Sequence, residues 1–237
     1  MSEWKLKRFW KEVATQPEAG GYAVVLDGRA VKTPAKTALV LPNQTLAQKV
    51  AQEWRAVAEE IDPRQMPYTR SANAALDKVA QQHAEVAGLI AAYAETDLLC
   101  YRADSPQALA RRQAQAWDDK LRWAHETYAL VLKVSTGVMP VAQDAASLSR
   151  ALELCKAMSP FALTAFHDLV SLSGSFVLGL RAVAGVDAPE NLWNTSRIDE
   201  TWQEEQWGVD EEAAEMAALK KSQFAHAYAF YHASVAG

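Results

Sequence analysis

The pattern of apolar and polar residues changes its period near residue 43. Before that point, YAVVLDGRAVKTP places Asp27-Gly28 between two apolar, β-branched runs. This is a strong hairpin signal, because both residues tolerate the positive φ of a type I′ turn. TALVLPN predicts a further strand that ends at Pro42, and Phe9 to Val13 is a candidate for another. The first 43 residues therefore predict a small sheet.

After residue 43 the apolar positions follow helical spacing. Residues 45–61 predict a helix capped by Asn43 or Thr45, and its apolar face carries Leu46, Val50, Trp54, Val57 and Ile61. From Ser71 the chain is alanine-rich and predicted to be helical almost to its end. Ser105-Pro106 and Ser159-Pro160 are predicted helix starts, because serine caps a helix and proline suits its first turn.

This change of period predicts an α+β protein in two parts. A small β-rich N-terminal domain is assigned to residues 1–65, and a larger all-helical domain to residues 66–237. The apolar run from Phe161 to Gly185 predicts one buried core helix. It is not a membrane span, because only 12 residues separate Asp168 from Arg181, and about 20 apolar residues are needed to cross a bilayer. Gly174 and Gly179 are expected to be points of close helix packing.

Composition narrows the class of protein. The 237 residues carry a net charge of −5, which argues against a dedicated nucleic-acid binder. Cys100 and Cys155 lie in apolar surroundings with no CxxC pairing, so buried free thiols are expected, as in a reducing compartment. The opening MSEWKLKRFWKEV has no apolar stretch behind its bases, so no secretory signal is expected.

The acidic stretch near the C-terminus is the most informative part of the chain. Between Asp187 and Glu215 lie ten carboxylates and one base, Arg197, which gives a local formal charge of −9. Trp193, Trp202 and Trp207 lie in the same window. Aromatic residues among acids are typical of a surface that binds another protein. Core packing is the alternative role, and at least one of the three tryptophans is expected to be buried.

No familiar catalytic motif is present. The sequence lacks a P-loop, a dinucleotide-binding fingerprint, a nucleophile elbow and a metal-ligand cluster, so no cofactor, metal or small-molecule substrate is expected. Two polar clusters, MPYTRSANAALDKV and AETDLLCYR, are predicted to meet at the domain junction. Either an Arg–Asp network fixes that junction, or it binds a ligand; the residues concerned are Arg70, Asn73, Asp77, Asp97 and Arg102.

Four segments resemble a known family in order and spacing. MPYTRSANAALD, ETDLLCYRA, QAQAWDDKLRWA and EEQWGVDEEA are similar to the corresponding segments of F1-ATPase assembly chaperones that bind the α subunit, and the resemblance extends from about Phe9 to Tyr231. It implies a small β-rich head, a helical body, no enzymatic activity and no nucleotide. It also implies that the protein holds the unassembled α subunit and masks its interface until the α/β ring forms.

The resemblance assigns partner binding to the acidic C-terminal region. With the nearby tryptophan, the predicted partner-binding residues are Trp202, Glu204, Glu205, Gln206, Trp207, Gly208, Glu211 and Glu212. Mitochondrial members begin with a presequence, whereas this chain resembles the bacterial form. A cytoplasmic location without membrane insertion is therefore expected.

Two other functions compete with this interpretation. An enzyme of unknown class would use the polar cluster at the domain junction, and a deep pocket with shifted carboxylates there would favour it. A generic adaptor unrelated to ATP synthase would bind a different dominant partner.

Overall fold

The computed structural model describes residues 7–137 and 139–236. The strands are β1 Val13–Glu18, β2 Gly21–Leu26, β3 Arg29–Ala30, β4 Val40–Leu41, β5 Tyr101–Arg102 and β6 Ser135–Thr136. The first helices are α1 Gln44–Ala56, α2 Pro67–Ala74, α3 His83–Ala91, α4 Gln107–Tyr128 and α5 Ala145–Lys156. They are followed by α6 Pro160–Ser173, α7 Phe176–Ala184, α8 Pro189–Ser196, α9 Ile198–Trp207 and α10 Glu211–Val235. A small N-terminal sheet followed by a larger helical part confirms the predicted α+β class.

The contacts of the chain define two units. The first comprises residues up to 83 together with 159–165 and 229–237, and the second comprises 84–158 and 166–228. The predicted boundary between residues 65 and 66 falls inside the first unit and stays a prediction. The first unit includes the beginning of α6 and the end of α10, so segments distant in sequence complete its core.

The sheet of the first unit is built around β2. Strand β1 pairs antiparallel with all of β2, and β3 and β4 also pair antiparallel with β2. The predicted hairpin is confirmed, since Asp27 and Gly28 adopt φ of 47° and 78° between β2 and β3. The Asp27 carboxylate also accepts hydrogen bonds from the Lys11 and Glu12 amides. The turn therefore holds the segment that precedes β1.

Helix α1 packs on this sheet through Leu46 and Val50, which are fully buried with Leu41. The predicted Asn43 cap is confirmed, because its side chain accepts a hydrogen bond from the Leu46 amide at 2.8 Å. The amide group of Asn43 also donates to the carbonyls of Ala233 and Ser234 at 3.0 and 2.9 Å. One side chain thus begins α1 and binds the end of α10. The helix ends at Ala56, five residues earlier than predicted.

The apolar run from Phe161 to Gly185 forms two helices, so the prediction of one helix was wrong. Gly174 adopts φ of +69° between α6 and α7, a conformation that L-residues rarely adopt. Ser175 is extended and accepts a hydrogen bond from the Leu178 amide, so it caps α7. Hydrophobicity alone did not reveal this break. In the described part of the chain, no helix is both long and apolar enough to cross a bilayer.

Gly179 confirms the expected close packing of α7. A Cβ atom there would lie 2.5 Å from Val170 Cγ2 and 3.0 Å from Phe166 Cε2. Gly179→Ala is therefore expected to destabilise the fold by about 1–3 kcal/mol, because overpacking forces neighbouring side chains out of place. Urea unfolding measures this loss, and Gly88→Ala, where nothing lies within 4 Å of the added Cβ, is the matched control. Equal stability of the two variants would contradict the expectation.

Both cysteines are buried free thiols, as predicted. Burial raises the pKa of each thiol to about 12. Since the thiolate is the reactive form, these side chains serve as small core residues.

Candidate partner-binding surface

Helix α8 anchors the N-terminal part of the acidic stretch, Asp187 to Glu215, in the core. Trp193 is buried, and its ring centroid lies 6.0 Å from that of Phe224 in α10. The buried Trp117 of α4 donates its indole N–H to the Thr195 carbonyl at 2.9 Å. The expectation of at least one buried tryptophan is confirmed by Trp193.

Helix α9 is held by two side chains of α4. The buried Gln113 donates to Asp199 Oδ1 at 2.7 Å. Arg112 Nη1 donates to both carboxylate oxygens of Glu205, at 2.9 and 2.7 Å. Glu205 therefore has an internal cation as its partner and serves to position α9.

A three-residue turn, residues 208–210, separates α9 from α10. Gly208 has φ of +88° and donates its amide to the Glu204 carbonyl at 2.9 Å, which ends α9. Asp210 Oδ1 accepts a hydrogen bond from the Ala213 amide at 3.0 Å, so it caps α10. Just before this turn, Trp207 is 79% exposed. The turn therefore presents a large aromatic side chain to solvent.

A groove of about 420 Å³ lies between α9 and α10 beside this tryptophan. Its walls comprise Arg197, Glu200, Gln203, Glu204, Trp207, Gly208, Asp210, Ala213, Met216, Ala217 and Lys220. Met216 is 52% exposed. Two large apolar side chains from different helices therefore border one open cleft.

The charges of this surface are only partly balanced from within. Arg197 contacts Glu200 at 3.0 Å and Glu204 at 3.6 Å. On the first turns of α10, Glu211, Glu212 and Glu215 form no ion pair with any residue that the structure describes. Carboxylates at a helix N-terminus are favoured by the backbone dipole. The turn and the start of α10 thus carry uncompensated negative charge.

The structure places the predicted partner-binding residues in four different settings. Glu204, Trp207 and Gly208 line the groove. Gln206, Glu211 and Glu212 are exposed, Trp202 is half-buried, and Glu205 is paired with Arg112. Sequence reasoning missed Arg112 and Met216. Met216 lies on the helix that follows the predicted acidic turn, so its helical spacing from that turn could have indicated it. Arg112 lies 93 residues from Glu205, and no sequence pattern indicates that pairing.

Three residues of the predicted junction network lie in the first unit. Asp77 accepts hydrogen bonds from Thr33 Oγ1 at 2.6 Å and from the Ala35 amide at 3.1 Å. Arg70 is exposed, and the buried Asn73 Oδ1 has no hydrogen-bond partner among the described residues. In this unit, Asp77 therefore secures the loop after β3.

Sequence reasoning also missed Glu53 near these residues. Its carboxylate accepts hydrogen bonds from the amides of Tyr68 and Thr69 at 2.6 and 2.8 Å. Burial raises the pKa of Glu53. It caps the first turn of α2 from a neighbouring helix.

Asp97 and Arg102 lie in the second unit and both bind the peptide groups of Leu99. Asp97 Oδ1 accepts from the Leu99 amide at 2.9 Å, and Arg102 Nε donates to the Leu99 carbonyl at 3.1 Å. Arg102 Nη2 lies 2.8 Å from Asp118 Oδ1, but the two groups are not aligned for a hydrogen bond, so this contact is an ion pair only. Both side chains therefore stabilise the local backbone around Leu99.

Asp97 also reaches the start of α7. Its Oδ2 accepts a hydrogen bond from the Val177 amide at 3.0 Å. Complete burial raises the pKa of Asp97 to about 6, although its hydrogen bonds act in the opposite direction. Across the described ranges, no group of three or more His, Cys, Asp or Glu side chains is arranged so that it could hold a metal ion.

Comparison with known proteins gives the class and the family. Residues 7–125 match the family model of the ATP12 chaperone protein. The structure matches that of Atp12 from Paracoccus denitrificans with a TM-score of 0.95 at 46% identity, over 98% of this chain and 100% of that one. A protein from Agrobacterium tumefaciens matches with a TM-score of 0.90 at 38% identity, over 97% and 86% of the two chains.

A curated relative extends the similarity to eukaryotes. The mitochondrial protein atp12 of Schizosaccharomyces pombe is 25% identical over 228 residues, which cover 89% of this chain and 76% of the relative. These matches define a chaperone, so the alternative of an enzyme at the domain junction is wrong. The chain belongs to the ATP12 chaperone family.

Proposed function

We propose that this protein assists F1-ATPase assembly by binding the unassembled α subunit and shielding its interface until the α/β ring forms. The observation that carries the proposal is Trp207, a tryptophan that is 79% exposed beside a groove and next to uncompensated carboxylates. Exposed apolar side chains that lie together mark protein-interaction sites, and Met216, 52% exposed, lines the same groove as Trp207. Membership of the ATP12 family supports the choice of client.

The charge on this surface suits a client with basic groups. An unpaired subunit exposes a large interface, and complementary charge speeds encounter by steering. Exposed ion pairs contribute little each, which allows release when the ring closes. On this proposal the protein acts in the bacterial cytoplasm, before F1 reaches the membrane.

Separate binding measurements with purified α and β subunits test the client. We expect a stoichiometric complex with α and none with β. Binding of β alone would overturn the proposal. A pull-down from cell lysate in which another protein dominates would favour the generic adaptor instead.

Reversing the charge of one exposed carboxylate tests the assigned binding surface. Glu212→Lys is expected to weaken binding of the α subunit about tenfold at low salt, with a smaller effect at high salt, because a like charge then faces the basic client. Titrations at two ionic strengths measure this change.

The matched control for this charge reversal is Glu85→Lys. Glu85 is also an exposed glutamate in the first turn of a helix, α3, and it does not line the groove. Both variants therefore change charge equally and lose a similar interaction with a helix dipole. If the two variants bind the α subunit equally well, the assigned surface is incorrect.

A further inference from the structure

The groove between α9 and α10 has an apolar side and a charged end. Trp207 of α9 lines it together with Ala213, Met216 and Ala217 of α10. Small alanines beside one long methionine leave a recess against the indole ring. Because methionine adapts its shape to irregular partners, this recess can accept a bulky side chain from outside.

The groove size limits what enters. Its volume of about 420 Å³ is near the lower end of the usual range for ligand sites, about 300–1,000 Å³. It therefore accommodates one or two side chains rather than a whole helix. Two carboxylates in its walls, Glu200 and Glu204, already contact Arg197, so these three groups do not demand a polar small molecule.

The surroundings favour a positive neighbour for that apolar side chain. Glu211 and Glu212 follow the groove at the start of α10 and form no ion pair within the described chain. The exposed face of Trp207 adds a second attraction, since an indole ring binds cations, arginine above all. An apolar side chain next to an arginine or lysine would therefore satisfy both parts of the site.

We propose that this groove receives a bulky apolar side chain of the client that lies beside a basic residue, with the apolar group against Trp207 and Met216 and the cation towards Glu211 and Glu212. This inference rests on the proposed function and specifies how the client is recognised. It also separates two roles among the acids. Glu205 positions α9 through Arg112, whereas the carboxylates of α10 meet the client.

Filling the groove from within tests the inference. Ala217 lines the groove, whereas the adjacent Ala218 is exposed and does not. Ala217→Phe and Ala218→Phe therefore place the same side chain on the same helix, inside and outside the groove. Thermal unfolding of both variants checks that the fold is retained.

The probe is the purified F1 α subunit, with affinity measured at two salt concentrations. We expect Ala217→Phe to weaken binding at least tenfold and to leave its salt dependence unchanged, because an apolar contact is lost and no charge is altered. Ala218→Phe should bind within twofold of the natural protein. The opposite signature, a changed salt slope, is expected for Glu212→Lys.

Three results overturn the inference. If Ala217→Phe binds as well as Ala218→Phe, the groove is not used, although the proposed function stands. If Ala217→Phe changes the salt slope as Glu212→Lys does, the groove recognises charge rather than an apolar group. If the natural protein does not bind the α subunit at all, the proposed function fails and this inference fails with it.

Discussion

Asp97→Ala is expected to destabilise the protein by about 3 kcal/mol at pH 7. The carboxylate accepts hydrogen bonds from the Leu99 and Val177 amides, and all three groups are buried. Removing it leaves two buried N–H donors without partners, each at a cost of about 1–3 kcal/mol. Loss of the buried charge offsets part of that cost. Urea unfolding at pH 7 measures the difference in the free energy of unfolding.

The same variant is expected to change how stability depends on pH. Burial raises the pKa of Asp97 from 3.8 to about 6 in the folded state. The stabilisation that comes from its protonation in the folded protein is therefore fully present below about pH 3.8 and is lost as the pH rises through about 6. Between pH 7 and pH 5 the natural protein should therefore gain about 1 kcal/mol from this group. The destabilisation caused by Asp97→Ala should be larger at pH 5 than at pH 7 by that amount.

Asp97→Asn is the control for the titration. It keeps the shape of the side chain but neither ionises nor accepts hydrogen bonds with both terminal atoms. It should therefore be destabilised, and the pH dependence specific to Asp97 should vanish. If Asp97→Asn follows the pH profile of the natural protein, the buried carboxylate is not the titrating group.

The local features of the fold were predictable because neighbouring residues determine them. Asp27-Gly28 adopts the positive φ values that a tight hairpin turn requires, and Asn43 caps α1 through a residue three positions away. Gly208 has φ of +88°, which glycine adopts without strain, and its amide ends α9. In each case the signal and its consequence lie within a few residues.

Contacts between distant segments were not predictable from the pattern. Glu53 accepts a hydrogen bond from a helix amide 15 residues away, Arg112 pairs with Glu205 across 93 residues, and Asp97 reaches α7 across 80. No periodicity encodes such pairs, since only the folded chain brings them together. For this reason the acidic surface was identified as a region, while the different roles of Glu205 and Glu212 within it were not.

The break between α6 and α7 at Gly174 shows a second limit of prediction from the hydrophobic pattern. The run from Phe161 to Gly185 is apolar throughout its core positions, and both resulting helices are buried. A buried helix and two successive buried helices give the same hydrophobic pattern. Only the glycine followed by a capping serine distinguishes them.

Trp207→Ala is expected to weaken binding of the α subunit about 30-fold and to leave the fold intact. Because the side chain is 79% exposed, truncating it should change the free energy of unfolding by less than about 0.5 kcal/mol. A tryptophan that becomes buried in an interface commonly contributes about 2 kcal/mol or more, which corresponds to that loss of affinity. Titration calorimetry with the α subunit and urea unfolding measure the two quantities.

Leu89→Ala is the matched control, since Leu89 is also a large apolar side chain, 63% exposed, and does not line the groove. It should bind the α subunit as the natural protein does. Trp207→Phe should recover part of the affinity, because it restores an aromatic ring of smaller area. Binding by Trp207→Ala equal to that of Leu89→Ala would remove the observation on which the assigned surface depends, because the exposed indole would then face solvent in the complex as well.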